Sequence, residues 1–362
     1  MNDEFFIRHT LRLAAKAKGT TSPNPMVGAV IVKRGEIIAE DFHKKPGTLH
    51  AEALAIAKAG QRAAGSTLYV NLEPCCHTEK RTPPCTGAVI NAGIGRVVIA
   101  MTDPNPKVSG KGIRELEKAG IEVKSGILEE EAKTLNEVYI KYITTGKPFV
   151  TLKIAMTLDG KIATPEGQSK WITGERARKI VHILRSRADA VMTAIGTVKA
   201  DNPQLTARIS KGRNPLRIVI DPHLEISPDA RILNIPPETI IVTKNNDSLK
   251  INYLDKSGIK ILLFKEKLDL NWLLEILGKM EITSLLIEGG SSLNAHALED
   301  GIVDKVMFFI APKIIGGRQS YPAVGGSTYR KLEEAHRIKD MKIRRIGEDF
   351  LIEGYVKSVN EL

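Results

Sequence analysis

Residues 73–85 read EPCCHTEKRTPPC, and all three cysteines of the 362-residue chain lie in this stretch, with His77 among them. An odd, crowded set of thiols is a poor disulfide framework. In a reducing compartment it marks a metal site or a catalytic thiol. Upstream, STLYVNLE (66–73) has the alternation and β-branched content of a strand and stops at Pro74. Downstream, residues 85–93 carry helical spacing, and RVVIAM (96–101) is another apolar strand. The stretch is therefore a strand-to-helix connection, and a strand that feeds a helix and then a second strand is the repeating unit of an α/β fold.

The same alternation extends in both directions. Residues 4–18 have amphipathic helical spacing, MVGAVIV (26–32) and EIIAE (36–40) are strands around a Lys33-Arg34-Gly35 turn, and HAEALAIAKAG (50–60) is a helix ending at Gly60. GIRELEKAG (112–120) is a helix before EVKSG. EEEAKTLNEVYIKYITTGKP (129–148) reads as one helix stopped by Gly146 with Pro148 behind it. That stop places a domain boundary between residues 1–146 and 147–362. A second series follows, with strands FVTLKIAM, DAVMTAIG, LRIVID, TIIVT, IKILLF, SLLIE and DKVMFFIAP and helices at 175–187, near 270–280 and near 291–300. It predicts a mostly parallel sheet with helical crossovers.

Hydrophobic residues make up 42% and charged residues 26%, the balance of a globular protein. The longest apolar run is too short to span a bilayer, and the first residues are acidic and amphipathic, unlike a signal peptide. The expected location is the cytoplasm, with no membrane partner. The net charge of +11 is spread out: 20 Lys+Arg against 16 Asp+Glu in residues 1–145, and 33 against 26 in the remainder. A dispersed excess reads first as solvated surface, then as affinity for phosphate-bearing small ligands, then for nucleic acid.

His50 opens one helix, Cys75 follows a strand, and Cys85 opens another helix. Imidazole and thiolate are ligands zinc prefers, and a catalytic site uses three of them and leaves the fourth place to water. Glu52, two residues from His50, is close enough to be aimed at that water without being a ligand. The H-x-E … P-C pattern is that of zinc nucleobase deaminases, with the second cysteine farther away than the usual P-C-x-x-C. A structural zinc site with His77 as fourth ligand is the competing reading of the cluster alone, and deamination of a base in RNA is another. Such an RNA enzyme calls for the closer cysteine spacing and interleaved aromatics, which are 5% here.

NPMVGAVIV (24–32), FH (42–43), HAE (50–52), NLEPC (71–75), His77, RTPPC (81–85) and DPNPKVSGKGI (103–113) occur in an order that resembles the deaminase half of the bifunctional riboflavin-biosynthesis deaminase/reductase family. The resemblance implies a cytidine-deaminase-like α/β/α domain. One zinc would be held by His50, Cys75 and Cys85, with Glu52 as catalytic acid/base and Asn24, His43 and His77 on the substrate. The sequence departs from the family in one respect. Nine residues separate Cys75 from Cys85, where the family has eight, and eight separate Cys76 from Cys85. Either the loop carries one extra residue or Cys76 replaces Cys75; the Glu-Pro-Cys context favours Cys75.

In the second half, LKIAMTLDGKIA (152–163), QSKWITG (168–174), IGTVKADNPQLTAR (195–208) and LLIEGGSSLNA (285–295) resemble, in that order, the reductase half of the same family. On its own IEGGSS is a strand, a glycine turn and a helix start whose N–H groups are able to cradle a phosphate, and a tight turn explains it equally well. The resemblance implies a dihydrofolate-reductase-like α/β domain using NADPH. Met156, Trp171, Thr197, Asp201, Gly289, Gly290 and Ser291 would face the cofactor. Lys153, Ser169, Arg185, Leu205, Arg208 and Glu288 would face a ribose phosphate. It also implies a phosphorylated pyrimidine as substrate, no nucleic acid partner and a homo-oligomer. The expected activity is zinc-dependent deamination of 2,5-diamino-6-ribosylamino-4(3H)-pyrimidinone 5′-phosphate, then NADPH-dependent reduction of the ribosyl group to ribityl.

Overall fold

The computed structural model describes residues 2–77, 83–327 and 330–356, and the chain divides between Gly146 and Lys147 into two compact units. In order, the first unit contains α1 (Asp3–Ala14), β1 (Gly28–Lys33), β2 (Glu36–Phe42), α2 (Ala51–Ala59), β3 (Thr67–Leu72), α3 (Cys85–Asn91), β4 (Arg96–Met101), α4 (Lys111–Lys118), β5 (Glu122–Ser125), α5 (Glu129–Leu135) and α6 (Glu137–Thr145). Its five strands are ordered β2-β1-β3-β4-β5. The β2-β1-β3 pairings are antiparallel and the β3-β4-β5 pairings are parallel. The change of direction follows from the connections: a tight turn joins β1 to β2, whereas helices link β3 to β4 and β4 to β5. β1, β3 and β4 are buried nearly throughout, which requires cover on both faces. On one face Phe6 of α1 packs against Tyr69 of β3, ring centroids 4.8 Å apart.

The second unit contains β6 (Phe149–Thr157), β7 (Lys161–Ala163), α7 (Glu175–Arg187), β8 (Ala190–Ala194), α8 (Ile195–Asp201), β9 (Leu216–Ile220), β10 (Thr239–Thr243), α9 (Ser248–Lys256), β11 (Lys260–Leu263), α10 (Leu270–Lys279), β12 (Ser284–Ile287), α11 (Ser291–Glu299), β13 (Lys305–Ala311), β14 (Tyr321–Pro322), β15 (Lys339–Ile346) and β16 (Asp349–Tyr355). Nine strands are ordered β11-β10-β9-β8-β12-β6-β13-β16-β15, parallel as far as β13 and antiparallel in the last two pairings. Alternate residues of the central strands feed two cores. Leu152, Met192 and Ile218 lie in one, and Val191, Val219 and Leu286 in the other. β15 closes one edge and is exposed along almost its whole length, with Lys339, Lys342, Arg344 and Arg345 on it. Charges on an edge strand oppose uncontrolled pairing.

Several expectations from the sequence are corrected. The single helix expected from residue 129 to its stop at Gly146 breaks at Asn136 into α5 and α6. The strand expected through DAVMTAIG stops at Ala194, and α8 begins at Ile195 without an intervening loop. α9 and the β15–β16 hairpin were not anticipated.

Candidate active sites

In the first unit the end of β3 and the starts of α2 and α3 meet. His50 is the N-cap residue of α2, with extended backbone and no side-chain cap bond, so its ring is available to reach away from the helix. Cys85 is the first residue of α3, and its N–H donates to the carbonyl of Cys75 at 2.9 Å, locking the two cysteine segments together. His50 Nδ1 lies 3.4 Å from Cys75 Sγ and 3.3 Å from Cys85 Sγ, and the three donor atoms fall within 4.8 Å of one another. Zinc–sulfur and zinc–nitrogen bonds at tetrahedral angles put such donors about 3.5 Å apart, so the set fits zinc. Cys76 is not in this cluster; its Sγ sits 4.0 Å from the carbonyl of Lys107. The extra residue expected in the loop falls where residues 78–82 lie outside the described ones.

Glu52 is 3% exposed, and its Oε2 has no hydrogen-bond partner among the described residues. Burial, and then the charge of Cys75, push its pKa up. A dication at the cluster acts in the opposite direction. An orphaned carboxyl oxygen beside three converged ligands is the second observation that fits a metal-activated water.

His43 is 2% exposed and its ring packs edge-on against His50, centroids 5.2 Å apart. Burial lowers its pKa, with the Leu49 carbonyl opposing and His50 adding to the lowering. His43 Nδ1 lies 3.3 Å from the Leu49 carbonyl, which only accepts, so Nδ1 carries the proton and Nε2 accepts from Asn24 Nδ2 at 3.1 Å. Asn24, His43, Glu52 and the His50–Cys75–Cys85 cluster thus form one neighbourhood. His77 is half-buried after the cysteine pair.

Residues that the sequence reading did not single out hold this neighbourhood together. Glu73, 2% exposed, accepts backbone N–H bonds from Asp103 (3.1 Å), Gly110 (2.9 Å) and Ile113 (3.1 Å), which pins residues 103–113 to the turn carrying Cys75. A Cβ at Gly112 would lie 2.2 Å from the Pro74 carbonyl oxygen, so glycine is needed for that approach. Asp103 accepts from Tyr139 Oη at 2.9 Å, and its pKa is pushed up to about 6, chiefly by burial. Glu73 stands inside the NLEPC motif, and a buried acid next to proline at a strand end was the available signal.

In the second unit the expected residues fall into two groups. Glu288 follows β12, with Arg185 Nε 2.5 Å from Oε1, and Arg185 Nη2 (2.9 Å) and Lys153 Nζ (3.1 Å) both on Oε2. Burial, the largest influence, raises the Glu288 pKa, but Arg185 and Lys153 outweigh it and hold the carboxylate at about 2. Arg185 Nη1 and His182 Nδ1 both lie against the Thr206 carbonyl, and Arg208 Nε reaches Thr206 Oγ1 at 3.3 Å. Leu205, next to Thr206, is buried. Arg185 is therefore committed to Glu288 and Thr206, while Arg208, among the described residues, is held by the neutral oxygens of Thr206 and Gln204. Burial lowers its pKa, and Arg185 and Arg231 add to that.

The other group gathers around α8 and α11. Gly289 and Gly290 have φ +80° and +57°, and a Cβ on Gly290 would come within 3.3 Å of Thr197 Oγ1, so the glycine turn lies against the first turn of α8. Ser291 opens α11, and its Oγ donates to the Pro322 carbonyl at 2.6 Å. At the end of α8, Asp201 accepts from Ser169 Oγ (3.0 Å) and pairs with Lys170 (3.2 Å). Trp171 is 63% exposed with the Arg178 guanidinium over its ring at 4.5 Å, and Met156 lies on β6 at the edge of the core. Exposed N–H groups at such a glycine turn and helix start suit a phosphate.

Comparison with known proteins agrees with both geometries. Residues 1–101 match the model of the cytidine and deoxycytidylate deaminase zinc-binding region, and residues 148–352 match that of the RibD C-terminal domain. The chain is 45% identical to the riboflavin biosynthesis protein RibD of Actinobacillus pleuropneumoniae, covering 99% of this chain and 96% of that one. It is likewise 45% identical to RibD of Aquifex aeolicus, over 97% of both chains. Among solved structures, the deaminase/reductase of Thermotoga maritima is similar at TM-score 0.88 and 38% identity, and Acinetobacter baumannii RibD at 0.88 and 36%, each covering 98% of both chains. Zinc serves the deaminase and NADPH the reductase of such proteins. With two sites of these two kinds on one chain, and relatives matched from end to end, the protein belongs to the RibD family of bifunctional deaminase/reductases of riboflavin biosynthesis.

Proposed function

We propose that residues 1–146 deaminate a diaminohydroxyphosphoribosylaminopyrimidine and that residues 147–362 reduce the resulting 5-amino-6-(5-phosphoribosylamino)uracil, the two reactions named for the Thermotoga maritima relative. The observation that carries this reading is the convergence of His50, Cys75 and Cys85 beside the buried carboxyl of Glu52, whose Oε2 has no hydrogen-bond partner among the described residues. The three donors would hold zinc, which when bound polarises water and lowers its pKa toward neutrality. Glu52 takes a proton from the attacking water and passes it to the ring nitrogen; it then takes the second proton from the hydroxyl of the tetrahedral centre and delivers it to the departing amine, so that the C–N bond breaks, water enters and ammonia leaves. Asn24 has one amide hydrogen committed to His43 and presents its remaining polar groups to the base edge; His43, kept neutral, buttresses it. His77 is the candidate contact for the substrate's polar tail.

In the second unit, NADPH when bound would supply the hydride for reduction at ribose C1′. The Gly289-Gly290-Ser291 turn, Thr197 and Asp201 would seat its phosphates and ribose, with Met156 and Trp171 alongside. Arg208 is the candidate phosphate ligand, whereas Arg185 and Lys153 hold Glu288 in place; Ser169, bonded to Asp201, and Leu205, beside Thr206, are the remaining candidate substrate contacts. Exposed apolar side chains of the β15–β16 hairpin, Met341 and Ile343 at 58% and 60% and Phe350 at 43%, support homo-oligomerisation through a face of that hairpin rather than by edge pairing. The clustered free thiols support a reducing, cytoplasmic setting. Among the described residues no helix is long and apolar enough to cross a membrane.

The test is mass analysis of products from the diaminopyrimidine ribosyl phosphate, with and without NADPH. Exchange of amine for oxygen without NADPH, and addition of two hydrogens with it, is expected. Glu52→Gln should abolish the exchange and retain zinc and the reduction; a Glu52→Gln protein that deaminates normally sinks the assignment.

A further inference from the structure

Asn136 stands between α5 and α6 with φ −104° and ψ 20°, the N-cap position of α6. An asparagine there ordinarily turns its side chain onto the N–H groups of its own helix. Asn136 makes no such bond. Its amide instead reaches a segment 110 residues earlier: Oδ1 accepts from Met26 N at 2.8 Å, and Nδ2 donates to Met26 O at 3.1 Å. This two-bond pairing reproduces what a neighbouring strand offers a backbone residue. Asn71, at the end of β3, extends it from the other side: Nδ2 donates to Met26 O at 3.0 Å and Oδ1 accepts from Gly28 N at 2.7 Å. Both asparagines are fully buried, at 1% and 0% exposure. Asn24, Pro25 and Met26 precede β1 and take no part in its pairings, so these two amides stand in for a sheet neighbour in front of β1.

The clamp lies two residues from Asn24, the side chain that touches His43 Nε2. One turn along α6, Tyr139 donates to Asp103, the start of the second segment around the same site. We propose that Asn136 is a positioning residue for deamination: its amide fixes the Met26 backbone and thereby sets the orientation of Asn24 toward the pyrimidine. The consequence for catalysis rests on the substrate contact assigned to Asn24 above; the anchoring itself does not. Because Asn136 serves no cap bond, its replacement removes the clamp without uncapping α6.

The experiment uses the zinc-loaded full chain, with the side-chain amide cross-peak of Asn24 identified by its loss in Asn24→Ala under selective ¹⁵N-asparagine labelling. Asn136→Ala should keep its zinc and its reductase activity, displace that cross-peak, and raise the deaminase KM by about tenfold with a smaller change in kcat, the size expected for one or two lost hydrogen bonds. Asn136→Asp, which keeps the acceptor for Met26 N but sets an oxygen against Met26 O, should do the same and is read if the alanine variant fails to fold. The double variant Asn24→Ala/Asn136→Ala should be no worse in KM than Asn24→Ala alone, because both changes act through one contact. An unmoved cross-peak, additive KM effects, or loss of zinc overturns the proposal. A displaced cross-peak with a kinetically silent Asn24→Ala supports the anchoring and removes instead the substrate contact assigned to Asn24.

Discussion

Glu288→Gln isolates the energetics of the Lys153–Glu288–Arg185 cluster. The three side chains are only 13%, 4% and 14% exposed. Glutamine keeps the shape but leaves two buried cations facing each other without a counter-charge. The Glu288 carboxyl titrates at about 2 against an ordinary 4.5. At 1.36 kcal/mol per unit this is a contribution of about 3 kcal/mol at pH 7, the same size as the loss expected on breaking a buried pair. A depressed carboxylate stabilises the fold fully above its unfolded pKa, and the contribution fades as pH falls from there through the folded value. The difference between wild type and variant should therefore shrink to about 1.4 kcal/mol at pH 3. Both tryptophans, Trp171 and Trp272, lie beyond Lys147, so tryptophan fluorescence in urea reads the second unit alone. With a slope of about 2–3 kcal/mol/M, the midpoint should fall by about 1–1.5 M at pH 7. A fall under about 0.3 M, or a gap that does not narrow in acid, refutes the reasoning.

Three further outcomes are expected. Cys75→Ser should lose zinc to a mild chelator while Cys76→Ser retains it, measured as bound metal per chain, because only the first sulfur lies with His50 and Cys85. Gly112→Ala should destabilise the first unit and lower its zinc content on mild heating, since its Cβ would meet a backbone oxygen at 2.2 Å and force apart the Cys75 turn and residues 103–113. Gly290→Ala should weaken NADPH binding in a fluorescence titration and leave deamination intact. Its φ of +57° with ψ 150° is a glycine-only conformation, and a side chain there carries a strain of about 1–3 kcal/mol.

How far the sequence alone reached depended on whether a signal was local. α7 was legible to the residue because apolar spacing, Gly174 before it and the strand after it agree. α8 was not, because it begins directly after β8 with alanine at the N-cap and no punctuating residue. α9 did carry a signal, Asp247, whose side chain accepts from Leu249 N and Lys250 N, but its nine residues have only Leu254 buried, so no apolar stripe drew attention to it. The β15–β16 hairpin failed for a related reason: β15 buries almost nothing, and alternation without a buried face cannot be told from a charged loop.

The same division runs through the site. His50, Glu52, Cys75 and Cys85 were legible because metal chemistry restricts residue type, and helix and strand ends fix the spacing between them. The groups that hold their surroundings are backbone N–H and C=O atoms paired with Glu73, Asn71 and Asn136, and such pairing leaves no compositional trace. Asn136 is the plainest case. Periodicity runs through it from Glu129 to Thr145, so the sequence reads as one helix, and the structure instead breaks at the residue whose side chain bonds Met26. A residue that contradicts its local pattern and spends its side chain far away in sequence is doing so for a tertiary purpose. Here the segment it holds carries Asn24, the side chain that touches His43, so the break in the helix serves the candidate site through the positioning role proposed for Asn136.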